Sequence, residues 1–387
     1  MSSKTYLHEL KAAVIGTGFI GPVHVEALRR IGVPVIGILD ATVERSEMAA
    51  TQLGIPRIYK DLNELLADDE IDTVHIATPN RFHYEHAAAC VKAGKHTMCE
   101  KPLAMNSMES AQLVELAAKS DVVAGVNYNL RYYPLCVESA ARIRKGTAGK
   151  IHHVSGGYAQ DWLFKETDFN WRVLASEGGE LRAIADIGTH WLDLIQFIVG
   201  QEITGVCADL QTVFATRQRP VGAAETFTGK QCPPQSSESV NIDTEDAGNI
   251  LLRFENGTRG VMSVSQVTAG RKNCLRFELA GSKQALAFNS ESPNELWIGH
   301  RDEPNEVLIR DPSLMDEAAS NVTSYPGGHN EGFPDAFKQI FLDFYGQILL
   351  GDDAGEPTFP TFADGHREIV LCEAILESHR NQGWVTI

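Results

Sequence analysis

Three features are scarce in this sequence. No apolar run is long enough to cross a bilayer, and residues 1–6 have no apolar core of the kind found in signal peptides. Basic residues number 34 against 51 acidic ones, so the formal net charge is −17. The seven cysteines are odd in number and show no C-x-x-C spacing.

Each absence argues against a class of protein. A chain without a membrane span or a signal peptide is expected in the cytoplasm. The acidic balance argues against nucleic acid or an anionic membrane surface as a partner, because both are bound by clustered lysine and arginine. The cysteine pattern indicates neither a disulfide framework nor a zinc site, so we expect reduced, buried thiols. A length of 387 residues with 43% hydrophobic content instead predicts a globular protein of two or three domains.

A glycine-rich segment follows the first apolar run. Residues 12–15 are typical of a buried strand, and Gly16, Gly18 and Gly21 then form a G-x-G-x-x-G pattern that opens a predicted helix. In this pattern the first glycine permits a tight turn and the second brings backbone amides close to a pyrophosphate. The third lets the helix pack closely on the sheet. The segment therefore predicts a dinucleotide site.

The second apolar run, residues 35–39, ends in Asp40. A carboxylate at this place accepts hydrogen bonds from the hydroxyls of the adenosine ribose and repels a 2′-phosphate. Ala41 and Thr42 offer no cation for such a phosphate, although Arg45 is close in the sequence. The pattern favours NAD over NADP as the cofactor.

Strand and helix patterns alternate over residues 12–125 in the order βαβαβαβαβ, which is typical of a parallel, doubly wound Rossmann sheet. From about residue 150 strand-like runs dominate, and turn signals such as Glu255-Asn256-Gly257 join them, so a mainly antiparallel sheet is expected. The polar stretches 217–239 and 301–321 are predicted to be loops. The sequence thus predicts an α/β protein with a Rossmann domain over 1–130 and a C-terminal α/β domain over 131–387, built on a large, mainly antiparallel open sheet.

Polar residues follow two of the predicted parallel strands, where ligands of open α/β sheets bind. Lys101, directly after a buried strand, can exchange a proton with a substrate hydroxyl, although pairing with Glu100 at the sheet edge explains a lysine there equally well. The predicted cofactor-binding residues are Gly16, Thr17, Gly18, Phe19, Ile20, Gly21, Asp40, Thr78, Pro79, Asn80, His83, Glu100 and Lys101.

A second polar group favours catalysis. At 3.6 residues per turn, Asp186, His190 and Asp193 share one face of a predicted helix. A carboxylate beside an imidazole and an incoming lysine forms a proton-transfer network, with Lys101 and His190 sharing the hydroxyl proton and Asp186 positioning them. Two other interpretations are a zinc site, for which no third soft ligand recurs nearby, and a capped helix start with a solvated histidine. We predict no metal.

In these motifs the chain resembles the glucose-fructose oxidoreductase, inositol dehydrogenase and MocA family. The resemblance rests on Gly16-x-Gly18-x-x-Gly21, Ala93-Gly94-Lys95-His96, Glu100-Lys101-Pro102 and Asp186-x-Gly188-x-His190-x-x-Asp193. It implies an N-terminal Rossmann domain and a C-terminal domain whose open sheet forms homodimers or homotetramers. It also implies that Lys101, Asp186 and His190 are the catalytic and substrate-holding residues.

The predicted C-terminal domain, with the residues just before it, offers side chains suited to a sugar ring. Two indoles beside amides and a guanidinium can stack on such a ring and bond its hydroxyls, although core tryptophans are the alternative. The segments around Trp162 and His329 are similar to those of levoglucosan-type sugar dehydrogenases of the same family. The predicted substrate residues are Asn129, Arg131, Tyr133, Gln160, Trp162, Trp171, Arg172, Asp186, His190 and His329.

The sequence therefore predicts an NAD-dependent dehydrogenase that oxidises a secondary hydroxyl of a cyclic sugar or polyol. Hydride would pass to the nicotinamide while Lys101, helped by His190, takes the proton. One alternative is a glycosidase that oxidises its sugar transiently with NAD, and another is a non-enzymatic NAD-sensing regulator on the same scaffold.

Overall fold

A computed structural model describes residues 4–221 and 236–387. The chain divides into two compact units, of which the first comprises residues 1–129 and 336–369 and the second residues 130–335 and 370–387. The division lies next to the predicted domain boundary at 130/131. It differs from the predicted ranges in one respect, because residues 336–369 belong to the first unit. Among the described residues no helix is long and apolar enough to cross a membrane.

The first unit is a parallel sheet of six strands in the order β3-β2-β1-β4-β5-β6, as the sequence predicts for a Rossmann fold. The central strands β1 and β4 are buried along their whole length, which explains their continuous apolar runs. The elements are β1 (Ala12–Ile15), α1 (Ile20–Arg30), β2 (Val35–Leu39), α2 (Val43–Leu53), β3 (Arg57–Ile58), α3 (Leu62–Leu66), β4 (Thr73–Ile76), α4 (His83–Lys92), β5 (His96–Cys99), α5 (Ser107–Ala118) and β6 (Ala124–Val126).

The second unit is built on a sheet of nine strands in the order β16-β15-β14-β13-β7-β12-β11-β8-β17. Its elements, with the two helices that close the chain, are α6 (Pro134–Arg144), β7 (Ile151–Ala159), α7 (Ala175–Gly178), a π-helical turn (Ile184–Gly188), α8 (Thr189–Val199), β8 (Ile203–Gln211), β9 (Thr216–Pro220), β10 (Ser237–Asn241), β11 (Ala247–Phe254), β12 (Arg259–Ser265), β13 (Cys274–Gly281), β14 (Ala285–Asn289), β15 (Glu295–Gly299), β16 (Glu306–Ile309), α9 (Glu317–Asn321), α10 (Phe333–Leu350), α11 (Phe362–Asn381) and β17 (Val385–Thr386). Short 3-10 turns lie at Leu7–Glu9, Asn80–Phe82, Asn129–Tyr132, Trp171–Val173 and Gly351–Asp353.

The large sheet is mainly antiparallel, as predicted, since only β7 and β12 run parallel among its neighbouring strands. It buries one face. In β11 the buried residues Ile250, Leu252 and Phe254 alternate with exposed ones, as expected for a strand with one face in the core. The buried face packs against α8, whose Trp191 is fully buried and donates its indole N–H to the carbonyl oxygen of Arg276 at 2.9 Å.

The segment 336–369 returns to the first unit from the far end of the chain. The backbone N–H of Val126 in β6 bonds the carbonyl oxygen of Pro360 at 2.9 Å, and Phe362 joins the core of the parallel sheet. Phe341 of α10 also contacts this unit, with its ring centre 4.7 Å from the ring centre of His75 in β4. These contacts explain why the compact unit is larger than the predicted Rossmann range 1–130.

The two predicted loops are partly wrong. Residues 216–220 and 237–241 pair as the antiparallel strands β9 and β10, whereas residues 222–235 of the same stretch, with Cys232, lie outside the described residues. The stretch 301–321 contains the edge strand β16 and the short helix α9. Strands β9 and β10 are polar and partly exposed, so they lack the apolar alternation that marks a core strand. All the described cysteines are free thiols.

Candidate active site

The turn between β1 and α1 leaves no room for side chains at two of its glycines. A Cβ on Gly16 would lie 2.6 Å from the carbonyl oxygen of Ala77, and one on Gly21 would lie 2.1 Å from that of Gly16. Gly16 also has a φ of 92°, which favours glycine. At Gly18, by contrast, a Cβ would meet nothing within 4 Å, so the backbone there faces open space. No acidic side chain lies in the first turn of α1, so the turn fits a bound pyrophosphate.

Asp40 is bonded directly to this turn. Its carboxylate accepts the backbone N–H of Thr17 at 2.7 Å and the hydroxyl of the same residue. Arg45, whose role the sequence left open, pairs with Asp40 at 2.9 Å between Nε and Oδ1. The guanidinium therefore neutralises a charge that is already present, and the carboxylate still stands where a 2′-phosphate would come close to it. This arrangement fits NAD.

The loops that follow β4 and β5 are joined by His83. Its Nδ1 lies 2.7 Å from the carbonyl oxygen of Pro102, and its Nε2 lies 2.8 Å from that of Thr78. Burial lowers the pKa of His83, so at neutral pH the ring donates to one of these two carbonyls. His83, which was predicted to bind the cofactor, is therefore buried and contacts the backbone of both loops. Pro79, Asn80 and Lys101 lie in the loops themselves.

Glu100 precedes Lys101 and is buried. Although burial opposes its charge, the hydrogen bond from His24 and the nearby charge of Lys101 lower the pKa of Glu100. Its second oxygen lies 3.3 Å from the backbone N–H of Lys101. The sequence left open a pairing between Lys101 and Glu100, and in the structure the two residues are in contact through the lysine backbone.

In the second unit, Asp186 lies in the π-helical turn that precedes α8. Its Oδ2 accepts the side-chain N–H of Gln266 at 2.7 Å, and its Oδ1 lies 3.4 Å from Nε of Arg172. His190 lies in the first turn of α8, and its ring lies 6.3 Å from that of Tyr158 between centroids. A π-helical turn such as the one that contains Asp186 is frequent at functional sites. The structure groups Asp186 with Arg172, as predicted for substrate residues, and adds Gln266.

The second acidic residue of the predicted helix face has another partner. Asp193 is buried and forms a two-pronged ion pair with Arg131, whose Nε lies 2.8 Å from Oδ2. Arg131 was predicted to contact substrate, but in the structure its guanidinium is held by this carboxylate. Tyr133 is a core residue whose ring packs 5.6 Å from Phe288, and burial raises the pKa of its hydroxyl. Asn129 is also buried, at the end of the first unit.

The polar side chains around the two predicted sugar-binding tryptophans form a hydrogen-bonded chain. The indole N–H of Trp162 donates to Gln160 at 2.8 Å, and the amide N–H of Gln160 donates to Asn273 at 2.8 Å. The hydroxyl of Tyr158 donates to the same Asn273 oxygen at 2.6 Å. The sequence analysis missed Asn273, which directly precedes β13 (Cys274–Gly281).

Neither tryptophan belongs to the main core. Trp171 is half-buried, and the guanidinium of Arg172 lies 4.4 Å from its ring centre. Trp162 is also half-buried, but it packs against a small apolar cluster that includes Leu163. His329 lies on an exposed loop whose carbonyl groups receive hydrogen bonds from the buried Arg310.

Two neighbouring carboxylates fix the start of the helix that carries Asp186 and His190. Glu245 accepts the backbone N–H groups of Arg182, at 2.9 Å, and of Ile184, at 2.8 Å. Burial raises the pKa of Glu245 to about 7, despite these hydrogen bonds. Asp246 pairs with Arg182 and with Arg217, the latter at 2.6 Å. Sequence analysis missed this anchor, although two acidic residues directly before the apolar strand β11 are the signal that could have revealed it.

Within residues 4–221 and 236–387, no group of three or more His, Cys, Asp or Glu side chains is placed to hold a metal ion. The predicted absence of a metal stays a prediction.

The parallel sheet, the glycine turn and Asp40 are the features of a dinucleotide-binding domain, and the second unit groups Asp186 with Arg172 and Gln266. Residues 10–128 match the model described as an oxidoreductase family with an NAD-binding Rossmann fold, and residues 137–287 match the GFO/IDH/MocA C-terminal domain. The chain belongs to the GFO/IDH/MocA family of NAD-binding oxidoreductases, as the resemblance in its motifs predicted.

Several relatives match over nearly the full length. Levoglucosan dehydrogenase of Pseudarthrobacter phenanthrenivorans is 29% identical, over 98% of this chain and 99% of that protein. Myo-inositol 2-dehydrogenase of Thermotoga maritima is 28% identical, over 95% and 96%. A solved structure of levoglucosan dehydrogenase in complex with NADH and L-sorbose has a TM-score of 0.86 at 28% identity and covers 98% of both chains. The predictions of an enzyme and of NAD as its cofactor are confirmed.

The glycine turn gives a matched pair of substitutions. We expect Gly18→Ala to leave the thermal unfolding midpoint unchanged, because its Cβ meets nothing, and to weaken NAD binding about ten-fold or more, because the methyl group enters the space for the pyrophosphate. Gly21→Ala should instead destabilise the protein by about 1–3 kcal/mol through its clash with Gly16. Calorimetry without NAD and titration with NAD separate the two effects. Wild-type NAD affinity in Gly18→Ala would show that the cofactor lies elsewhere.

Glu245 gives a pH-dependent stability. Its pKa is about 7 in the folded protein and near 4.5 when unfolded, so the folded state binds more protons between these values. The free energy of unfolding therefore falls as pH rises through this window, by on the order of 3 kcal/mol. Glu245→Gln should lack this decline in urea titrations at pH 5 and pH 8. Glu138→Gln, which removes another buried carboxylate of this unit, is the control. Parallel declines in wild type and Glu245→Gln would refute the assignment.

Proposed function

We propose that this protein oxidises a secondary hydroxyl of a cyclic sugar or polyol to a ketone, with NAD as the acceptor of the hydride. The observation that carries the proposal is the cluster of Asp186, Gln266 and Arg172 beside two half-buried tryptophans, in a unit joined to an NAD-binding domain. Carboxylate, amide and guanidinium groups next to indoles are what recognition of a polyhydroxylated ring needs.

The names of the relatives support the same substrate class. Levoglucosan dehydrogenase and myo-inositol 2-dehydrogenase both act on cyclic polyhydroxylated compounds by name, and both match at least 95% of this chain. The particular sugar and the carbon oxidised are left to experiment. A cytoplasmic location, a homodimer or homotetramer through the open sheet, and a functional boundary near residue 130 remain proposals of the sequence.

The proton is assigned to this chain's own residues. Bound NAD supplies the hydride acceptor, and as the substrate carbon loses hydride, its hydroxyl oxygen must lose a proton to form the ketone. We assign that proton to the amine of Lys101, with His190 sharing it and Asp186 holding the substrate hydroxyls in place. Within the second unit, Gln266 and Arg172 orient Asp186 by bonding one oxygen each, so the carboxylate keeps a fixed direction. Tyr158 and Asn273 support Gln160 in the same way.

The substrate class and the role of Lys101 are tested together. We expect NADH to accumulate with at least one member of a panel of cyclic sugars and inositols, read by absorbance. Lys101→Ala should lower kcat about 100-fold or more, because a general base is lost, and leave NAD affinity nearly unchanged. Lys92→Ala, an exposed lysine of the same unit, is the matched control.

The other outcomes of this experiment identify the alternatives. Release of an aglycone without net NADH would indicate a glycosidase, and NAD binding without turnover of any compound would indicate a regulator. Turnover of Lys101→Ala within a few-fold of wild type would assign the proton to His190 alone.

The tryptophans are tested by comparison with a core residue. Trp171→Ala should raise KM for the sugar and leave NAD affinity and the unfolding midpoint nearly unchanged, because its ring is half-buried. Trp162→Ala should raise KM and also cost some stability, since Trp162 packs against the buried cluster of Leu163, Val173 and Ile242. Trp191→Ala, at a fully buried position, should cost about 3–5 kcal/mol and serves as the reference. A collapsed midpoint with normal KM in Trp171→Ala would place this residue in the core.

A further inference from the structure

A column of buried polar side chains crosses the first unit and ends at Glu100. Nε2 of His24 lies 3.0 Å from Oε1 of Glu100, and Nδ1 of His24 lies 2.9 Å from Nδ1 of His75. On the far side of His75, Nε2 lies 3.0 Å from the hydroxyl of Tyr345, which lies 2.6 Å from the hydroxyl of Thr73. His24, His75, Tyr345 and Thr73 are fully buried, so these groups bond one another instead of water.

The surroundings of the column are mostly apolar. Phe341 packs against both imidazoles, with ring centres 5.0 Å from His24 and 4.7 Å from His75. Phe337 contacts His24 and Phe344 contacts His75. The other titratable groups that act on its two ends are Lys101, His83 and Cys99 at Glu100, and Asp72 at Tyr345. In such surroundings an unmade hydrogen bond is costly, which favours one defined proton arrangement.

The carboxylate sets the direction of every bond. An ionised carboxylate can only accept, so Nε2 of His24 must carry its hydrogen, and the amide of Asn127 donates to the same oxygen. Nδ1 of His24 then accepts from Nδ1–H of His75. This leaves Nε2 of His75 to accept the Tyr345 hydroxyl, whose oxygen accepts the hydroxyl of Thr73. This direction requires that His24 carry a single ring hydrogen, on Nε2.

We propose that His75 and Tyr345 are positioning residues that act through His24, and that this oriented column holds the Glu100 carboxylate charged and in place against the backbone of Lys101. The inference rests on the proposed role of Lys101 as the proton acceptor. Glu100 is the point of contact, because its second oxygen faces the Lys101 N–H at 3.3 Å. Hydrogen bonds that all point one way strengthen one another, so a donor two residues removed still contributes at the carboxylate.

The kinetic test uses one hydroxyl group. Tyr345→Phe removes the donor to His75 and keeps the ring, and we expect kcat to fall about three-fold or more, because the Glu100 carboxylate then holds the Lys101 backbone less firmly. NAD affinity and KM should change little. Tyr59→Phe is the matched control, since it also removes a buried hydroxyl, bonded to Asp68 at 2.7 Å in the same unit. If Tyr345→Phe fails to fold, Thr73→Val should give a smaller fall in kcat, again with little change in KM. A wild-type kcat in the folded variant overturns the proposal.

A second test needs no substrate. In protein labelled with ¹⁵N-histidine, and without added ligand, we expect His75 to carry its hydrogen on Nδ1 and His24 on Nε2, with signals assigned from His75→Gln and His24→Gln. A hydrogen on Nε2 of His75, or a doubly protonated His24, would overturn the proposed direction. Failure of the whole sugar panel would refute the proposed function and leave this measurement intact, so the two failures are distinguishable.

Discussion

Glu100 and Glu245 are buried carboxylates, and the hydrogen bonds that they require hold in place the two segments that carry the candidate catalytic residues. Glu100 accepts hydrogen bonds from the ring of His24, the side-chain amide of Asn127 and the backbone N–H of Lys101. Glu245 receives the N–H groups at the start of the helical segment that bears Asp186. Because an unsatisfied buried carboxylate costs far more than a hydrogen bond gains, the backbone on each side has little freedom to move. Rigid placement of this kind is what proton transfer needs.

The neighbouring carboxylates Glu245 and Asp246 show how environment sets their charge. Both are buried, but Asp246 faces the guanidinium groups of Arg182 and Arg217, which hold its pKa below the usual range although burial opposes them. Glu245 receives only backbone N–H groups at its oxygens, and burial raises its pKa. Ion pairs buried in this way contribute little net stability, since desolvation offsets attraction. Their consequence is instead a defined position for the strand that starts at Ala247 and for the turn that precedes α8.

Features that depend on neighbours in the sequence were predictable, and contacts between distant residues were not. The roles of Gly16 and Gly21 follow from a turn of six residues, and the strands of the parallel sheet follow from continuous apolar runs. Gln266, Asn273 and the Arg131–Asp193 pair escaped prediction because each depends on which residues the sheet brings together. The π-helical turn at Asp186 also escaped, since a regular spacing of 3.6 residues was assumed for the predicted helix. Long-range pairing of this kind leaves no periodic signal in the local sequence.

The return of residues 336–369 explains why a boundary read from the Rossmann pattern is incomplete. In a strand buried on both faces, both ring nitrogens of His75 need partners, and His24 provides one of them. Tyr345 supplies the hydroxyl, and Phe341 covers both His75 and His24. The parallel sheet is therefore completed by a helix that the chain adds more than 200 residues later, as the pairing of Thr73 with Tyr345 at a separation of 272 residues shows. Closing a loop of this length costs conformational entropy, so the surroundings of Glu100 depend on contacts that a segment spanning residues 1–130 alone does not contain.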